Sequence, residues 1–176
     1  MLYIGKELPQ MDIDENEYKP FIRHEWFRRN YMWFAYGLMI LLFITALSLG
    51  RLRAGHFMIR LVLFAITYMV HELLHIATVF RKGDIYLNRS GIYLWLTPDF
   101  ILSKREFWIF MTLPFLALTC LVGFSSYLVS EHVGIYLKYI AWINSIIAGS
   151  DIINSTLIMM MPRNSFFYRG YFKTLA

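Results

Sequence analysis

In "YMVHELLHIATVF", Tyr68 to Phe80, three ionisable side chains interrupt a run otherwise suited to lipid: His71, Glu72 and His75. Taking an ionisable group to membrane depth is costly, so such groups mark function more often than packing. The apolar run reaches back to Phe57, and residues 57–80 are long enough, at about 1.5 Å per residue, to cross roughly 30 Å of hydrocarbon.

Composition supports a membrane setting for that run. Of the 176 residues 58% are hydrophobic and only 16% are charged, which is sparse cover for a soluble domain of this length. The apolar residues also fall in long blocks. The net charge of +5 fits topology signals and attraction to anionic headgroups; no nucleic-acid-binding motif accompanies it, so no nucleic-acid partner is expected. A single cysteine, Cys120, excludes an internal disulfide and a cysteine-based zinc site. About thirty polar and mixed residues precede the first apolar block, too many and too acidic for a typical secretory signal, and the first span is expected to stay as an anchor.

The pattern predicts an all-α polytopic membrane protein with a short β-hairpin-like insertion. Residues 1–30 read as a cytosolic tail, acidic at Asp12, Asp14, Glu15 and Glu17, followed by an interfacial helix mixing Phe21, Trp26 and Phe27 with Arg23, Arg28 and Arg29. Residues 31–161 hold four predicted spans, near 31–49, 57–80, 106–129 and 134–161, and residues 162–176 read as a second cytosolic tail. With the N-terminus inside, twelve Lys and Arg fall on the cytosolic side and four (Arg51, Arg53, Arg60 and Lys138) on the other. The positive-inside bias therefore predicts a multi-pass protein of the plasma membrane with both termini and the middle loop cytosolic.

That loop, "GDIYLNRSGIYLWLTPDFILSKREF", has two short runs rich in Ile, Tyr, Leu and Trp flanking Asn88-Arg89-Ser90-Gly91. This is a hairpin signal, with Gly91 suited to a positive-φ turn position. Ser103 and Glu106 match a capping box that starts the third span.

His71-Glu72-Leu73-Leu74-His75 is an H-E-x-x-H motif. On a helix, positions i and i+4 share a face, so two imidazoles can hold one zinc ion while the glutamate serves as general base. The plain alternative is two histidines bonded to neighbouring helices, with Glu72 paired to a cation. Zinc needs a third protein ligand and an open position. His24 lies near the membrane interface, and His56 and His132 lie at the opposite face, which leaves Asp151 in "IIAGSDIINS". His71 and Asp151 each sit roughly 14–15 Å from the cytosolic end of their spans by helical rise. Asp151 could instead be a protonated acid or half of an ion pair. Gly149 and Ser150 let two helices approach closely. Asn154, one turn on, could bond a substrate carbonyl or a neighbouring helix, and Asn144 is equally ambiguous. Pro114 frees the Phe110 carbonyl and bends the third span.

A short polytopic chain with H-E-x-x-H in a span, a hairpin-like insertion and a later intramembrane Asp resembles intramembrane zinc metalloproteases of the site-2-protease type. More closely, residues 57–161 resemble a small bacterial family of zincin-peptidase membrane proteins. The resemblance implies cleavage of a peptide bond in or near the membrane, with Zn2+ held by His71, His75 and Asp151 and with Glu72 as base. It implies membrane lipids and a membrane protein or peptide as partners. Tyr93, Leu94 and Asn154 are candidate substrate contacts, the first two because the run 92–96 could offer an extended substrate a strand edge. The alternatives are a zinc-stabilised membrane binding or chaperone protein without hydrolysis, and a metal-dependent amidase acting on a lipid or small molecule. An intact Glu72 favours hydrolysis, because a structural zinc site needs no base.

Overall fold

The computed structural model describes residues 1–5, 7–11, 17–90 and 93–175 of the chain. It is mostly helical, with two small β-sheets. Helices α1 (Glu25–Ser48) and α2 (Phe57–Val79) each run without a break. The next helical run spans Lys104–Ser125: α3 (Lys104–Pro114), a π-helical segment (Phe115–Leu121) and the short α4 (Val122–Ser125). These three runs are long and apolar enough to cross a membrane.

The fourth predicted span is not one helix. It divides into α5 (Glu131–Ile147) and α6 (Gly149–Met159), separated at Ala148, whose φ of −75° and ψ of 11° leave the helical region. The four continuous spans expected from hydropathy are therefore three, because length and apolarity say nothing about a local break. Gly149, a poor helix former, opens α6. A Cβ there would lie 2.6 Å from Met39 Cγ and 3.6 Å from the Ala35 carbonyl oxygen, so the close approach is made by α1. Of the residues expected to form an interfacial helix, Trp26, Phe27, Arg28 and Arg29 lie in the first turns of α1, whereas Phe21 and Arg23 precede it.

Much of the apolar surface of these helices points outward. Trp33 is 75% exposed and Phe57 67%, with Met58, Val62, Ile66 and Leu73 also on the outside. Contiguous apolar surface of this extent suits contact with lipid rather than water.

The middle loop forms the predicted hairpin. Strands β3 (Ile85–Ser90) and β4 (Tyr93–Pro98) pair antiparallel, and β1 (Leu2–Ile4) pairs parallel with β3 on its other side. Asn88, Arg89 and Ser90 are not turn residues. They face Trp95, Leu94 and Tyr93 across the ladder. The predicted positive φ of Gly91 lies outside the described residues. The hairpin base is seated on α2 and α3, where Ile85, Val79, Leu102 and Phe110 are buried together and Leu96 and Phe100 pack against them.

Both segments predicted as tails contribute strands. The second sheet has the order β2 (Lys19–Pro20), β7 (Tyr171–Thr174), β6 (Ser165–Tyr168) and β5 (Leu102–Ser103). The β6–β7 turn places Arg169 at φ 43° and Gly170 at φ 83°. A positive φ is unfavourable for arginine. Its guanidinium holds the turn by pairing with Asp99 Oδ1 at 2.6 Å and donating to the Pro9 carbonyl at 2.6 Å, and Tyr168 donates to the same Asp99 oxygen at 2.8 Å. Phe167 packs with Phe21, Phe107 and Phe172, fastening this sheet to α3. Ser103 and Glu106 form the predicted capping box at the start of α3. Asp12, Asp14 and Glu15 lie outside the described residues, whereas Glu17 pairs with Lys173 at 2.9 Å.

Candidate metal centre

Helix α2 presents His71 and His75 one turn apart on one face, both buried, with Asp151 facing them from the first turn of α6. Asp151 Oδ2 lies 3.1 Å from His71 Nε2 and 3.3 Å from His75 Nε2, and the two Nε2 atoms are 3.2 Å apart. Among the described residues these three form the one His, Cys, Asp or Glu cluster whose ligand atoms all lie within 4.8 Å of one another. The bland pairing of Asp151 with a lysine or arginine is not what the geometry shows; its partners are the two imidazoles.

The other ring nitrogens fix the tautomers. His75 Nδ1 is 2.6 Å from the Phe110 carbonyl, which can only accept, so Nδ1 carries the proton. His71 Nδ1 is 2.9 Å from Asn144 Oδ1. Asn144 must turn its amide nitrogen to the Pro114 carbonyl, 3.1 Å away, which leaves Oδ1 to accept from His71. As neutral rings, both histidines therefore point Nε2 lone pairs at a carboxylate oxygen. With both rings neutral, three acceptor atoms converge, and a bound cation or a shared proton must sit among them to relieve their repulsion.

The spacing tests which cation. A tetrahedral zinc bound at about 2.0–2.1 Å sets its ligand atoms about 3.3–3.4 Å apart. The observed 3.1, 3.2 and 3.3 Å fit that tetrahedron face with small adjustment, and two imidazoles with one carboxylate is a donor set zinc favours.

The cluster lines a cavity of about 740 Å3 together with Glu72, which sits beside both histidines on α2. The other walls are largely apolar: Met32, Tyr36 and Met39 of α1, Phe64 and Tyr68 of α2, Met111 of α3, Leu96 of β4. A cavity of this size and character, with a few converging polar groups, has the form of a substrate site.

Asn154 also lines the cavity, but its Oδ1 lies 2.9 Å from the Tyr31 hydroxyl, whose one hydrogen it shares with the Ser150 carbonyl at 3.1 Å. Its amide nitrogen is the group turned toward Met111 Sδ, 3.8 Å away. Sequence reading missed Tyr31 and the whole contribution of α1, since no local signal pairs residues so distant. Tyr93 and Leu94 lie in β4, opposite Ser90 and Arg89, on the strand that also brings Leu96 to the cavity.

No curated protein and no solved structure matches the chain. A family model does, over residues 64–166, more than half of the length and the part that contains His71, Glu72, His75 and Asp151. By that match the chain belongs to the family described as "Putative zincin peptidase", a zincin-like group for which zinc is the implied ion and peptide hydrolysis the implied activity.

Proposed function

We propose that this protein is a zinc-dependent, membrane-embedded metalloprotease of the site-2-protease type, hydrolysing peptide bonds in or near the membrane. One observation carries the reading. Three buried acceptor atoms converge at the spacing of a tetrahedral ion, beside a glutamate and an apolar cavity. His71, His75 and Asp151 hold the ion. Zinc in such a site supplies Lewis acidity toward a carbonyl and toward water. Glu72 takes a proton from the attacking water, and the C–N bond breaks as Glu72 returns that proton to the leaving amine.

The membrane arrangement follows the positive-inside count. α5 and α6 together make a fourth, kinked crossing, and both termini and the hairpin lie on the cytosolic side of the plasma membrane. The substrate is a membrane protein or peptide reaching the cavity from the lipid. It must be extended at the cleaved bond, and its backbone groups then need partners in a poorly hydrated place. β4 pairs with β3 along one edge and, among the described residues, with no strand along the other. Addition of the substrate along Tyr93 and Leu94 satisfies those groups, and the Asn154 amide bonds a substrate carbonyl.

The purified protein is expected to bind about one zinc per chain. His71→Ala and His75→Ala lose it, and Asp151→Ala binds it more weakly; metal analysis showing full zinc in Asp151→Ala would assign the third ligand elsewhere. Glu72→Gln keeps the metal and the fold but lowers turnover by at least about 100-fold, since a neutral amide is no base. Unchanged hydrolysis of membrane substrates by that variant would favour a binding protein.

Cysteine placed at Lys104 is expected to react with an impermeant thiol reagent only from the cytosolic side, and one at Arg53 only from the other; the reverse labelling would invert the topology. Adjacent N–H groups of a strand face opposite edges, so proline at one of Tyr93 and Leu94 removes a donor from the free edge and at the other disturbs the ladder to β3; each is expected to impair cleavage at least about tenfold with zinc content retained. Normal cleavage by both proline variants would refute the strand clamp, and loss of zinc would make the hairpin a structural support instead.

A further inference from the structure

We propose that Asn144 and Pro114 are positioning residues of the metal centre, together setting which nitrogen each histidine presents to the ion. The inference rests on the zinc reading above. In an unbroken α-helix the Phe110 carbonyl would accept the N–H of residue 114, and Pro114 has none. The N–H of Phe115 does not replace it, since it goes to Thr112. A buried carbonyl left without a donor is costly. His75 supplies the donor, with Nδ1 2.6 Å from the oxygen. The proline thus creates the acceptor that orients the second histidine of the motif.

The same backbone defect orients the first. Just past Pro114 the helix adopts π-helical pairing over Phe115–Leu121. Asn144, wholly buried, reads this irregular stretch with its amide nitrogen, donating to the Pro114 carbonyl at 3.1 Å and to Thr119 Oγ1 at 3.0 Å. Ser145 braces Thr119 from the neighbouring position at 3.2 Å. With its nitrogen committed twice, Asn144 has only Oδ1 to offer His71, and it does so at 2.9 Å. Both rings are thereby held as Nδ1–H tautomers with Nε2 free for a metal. Hydrogen bonding of this kind to the far nitrogen orients a ligating imidazole and raises its basicity.

The test is zinc affinity, measured by chelator competition on full-length protein in detergent, with the absorption of the cobalt-loaded protein as a report on ligand geometry. Asn144→Ala is expected to bind zinc about 10- to 100-fold more weakly than the parent, the usual cost of losing such a partner. Pro114→Ala restores an N–H that competes for the Phe110 carbonyl, and is expected to weaken binding about tenfold and alter the cobalt spectrum. Asn144→Asp separates positioning from structure. It keeps an oxygen toward His71 but sets a carboxylate against the Pro114 carbonyl. A positioning role predicts that Asp binds zinc more tightly than Ala at this site; a merely structural role predicts that it does no better. Parent-like affinity in both Asn144→Ala and Pro114→Ala, or Asp no better than Ala, overturns the inference while leaving the zinc reading intact. A parent protein that binds no zinc overturns both. Should Asn144→Ala fail to fold, the Pro114→Ala affinity and spectrum decide.

Discussion

Two imidazole nitrogens and a carboxylate oxygen within 3.3 Å of one another, in a buried place, are a concentration of acceptors that needs a cation or a proton among them. Much of the bundle is arranged around that demand. Histidine must be neutral to present Nε2, so each ring needs an acceptor behind it, and helices α3 and α5 supply those acceptors. The carboxylate must reach the pair from a third direction, which α6 provides from its first turn.

The same demand accounts for where the backbone is irregular. Non-helical pairing at membrane depth is tolerated only where it is covered by protein or lines a cavity. Among the described helices, the Pro114–π-helical stretch follows Phe110 and Met111 of the cavity wall, and the Ala148 break lies between the cavity residues Ile147 and Ser150. The Phe110 carbonyl beside one irregularity accepts from His75 and the Pro114 carbonyl from Asn144, while beside the other Gly149 lets α1 pass close as it walls the cavity.

The β-structure has a supporting part. The hairpin carries Leu96 to the cavity, and its base is steadied by the loop residue Asp99, which Arg169 and Tyr168 hold from the C-terminal sheet. Arg169, counted in the sequence as a cytosolic topology charge, is a buried clasp with only 6% of its side chain exposed. Its unfavourable φ is balanced by those contacts.

What was legible in the sequence is what spacing along one segment encodes. Residues i and i+4 share a helix face in any surroundings, so the joint presentation of His71 and His75 was readable, as were the capping box at Ser103 and the carbonyl freed by Pro114. Alternation and turn residues signalled the hairpin, though Asn88, Arg89 and Ser90 pair within the ladder and are not turn residues. The depth argument matched His71 to Asp151 along the membrane normal, but helical rise carries no information on rotation or on which helices are neighbours. Tertiary structure alone decided that Asp151 turns toward the histidines, that Asn144 stands behind His71, that Tyr31 holds Asn154, and that short strands from both terminal segments join the sheets. Those outcomes depend on contacts between segments far apart in the chain, Tyr31 and Asn154 being 123 residues apart. Each is set by the sum of many packing energies, and no local pattern records that sum.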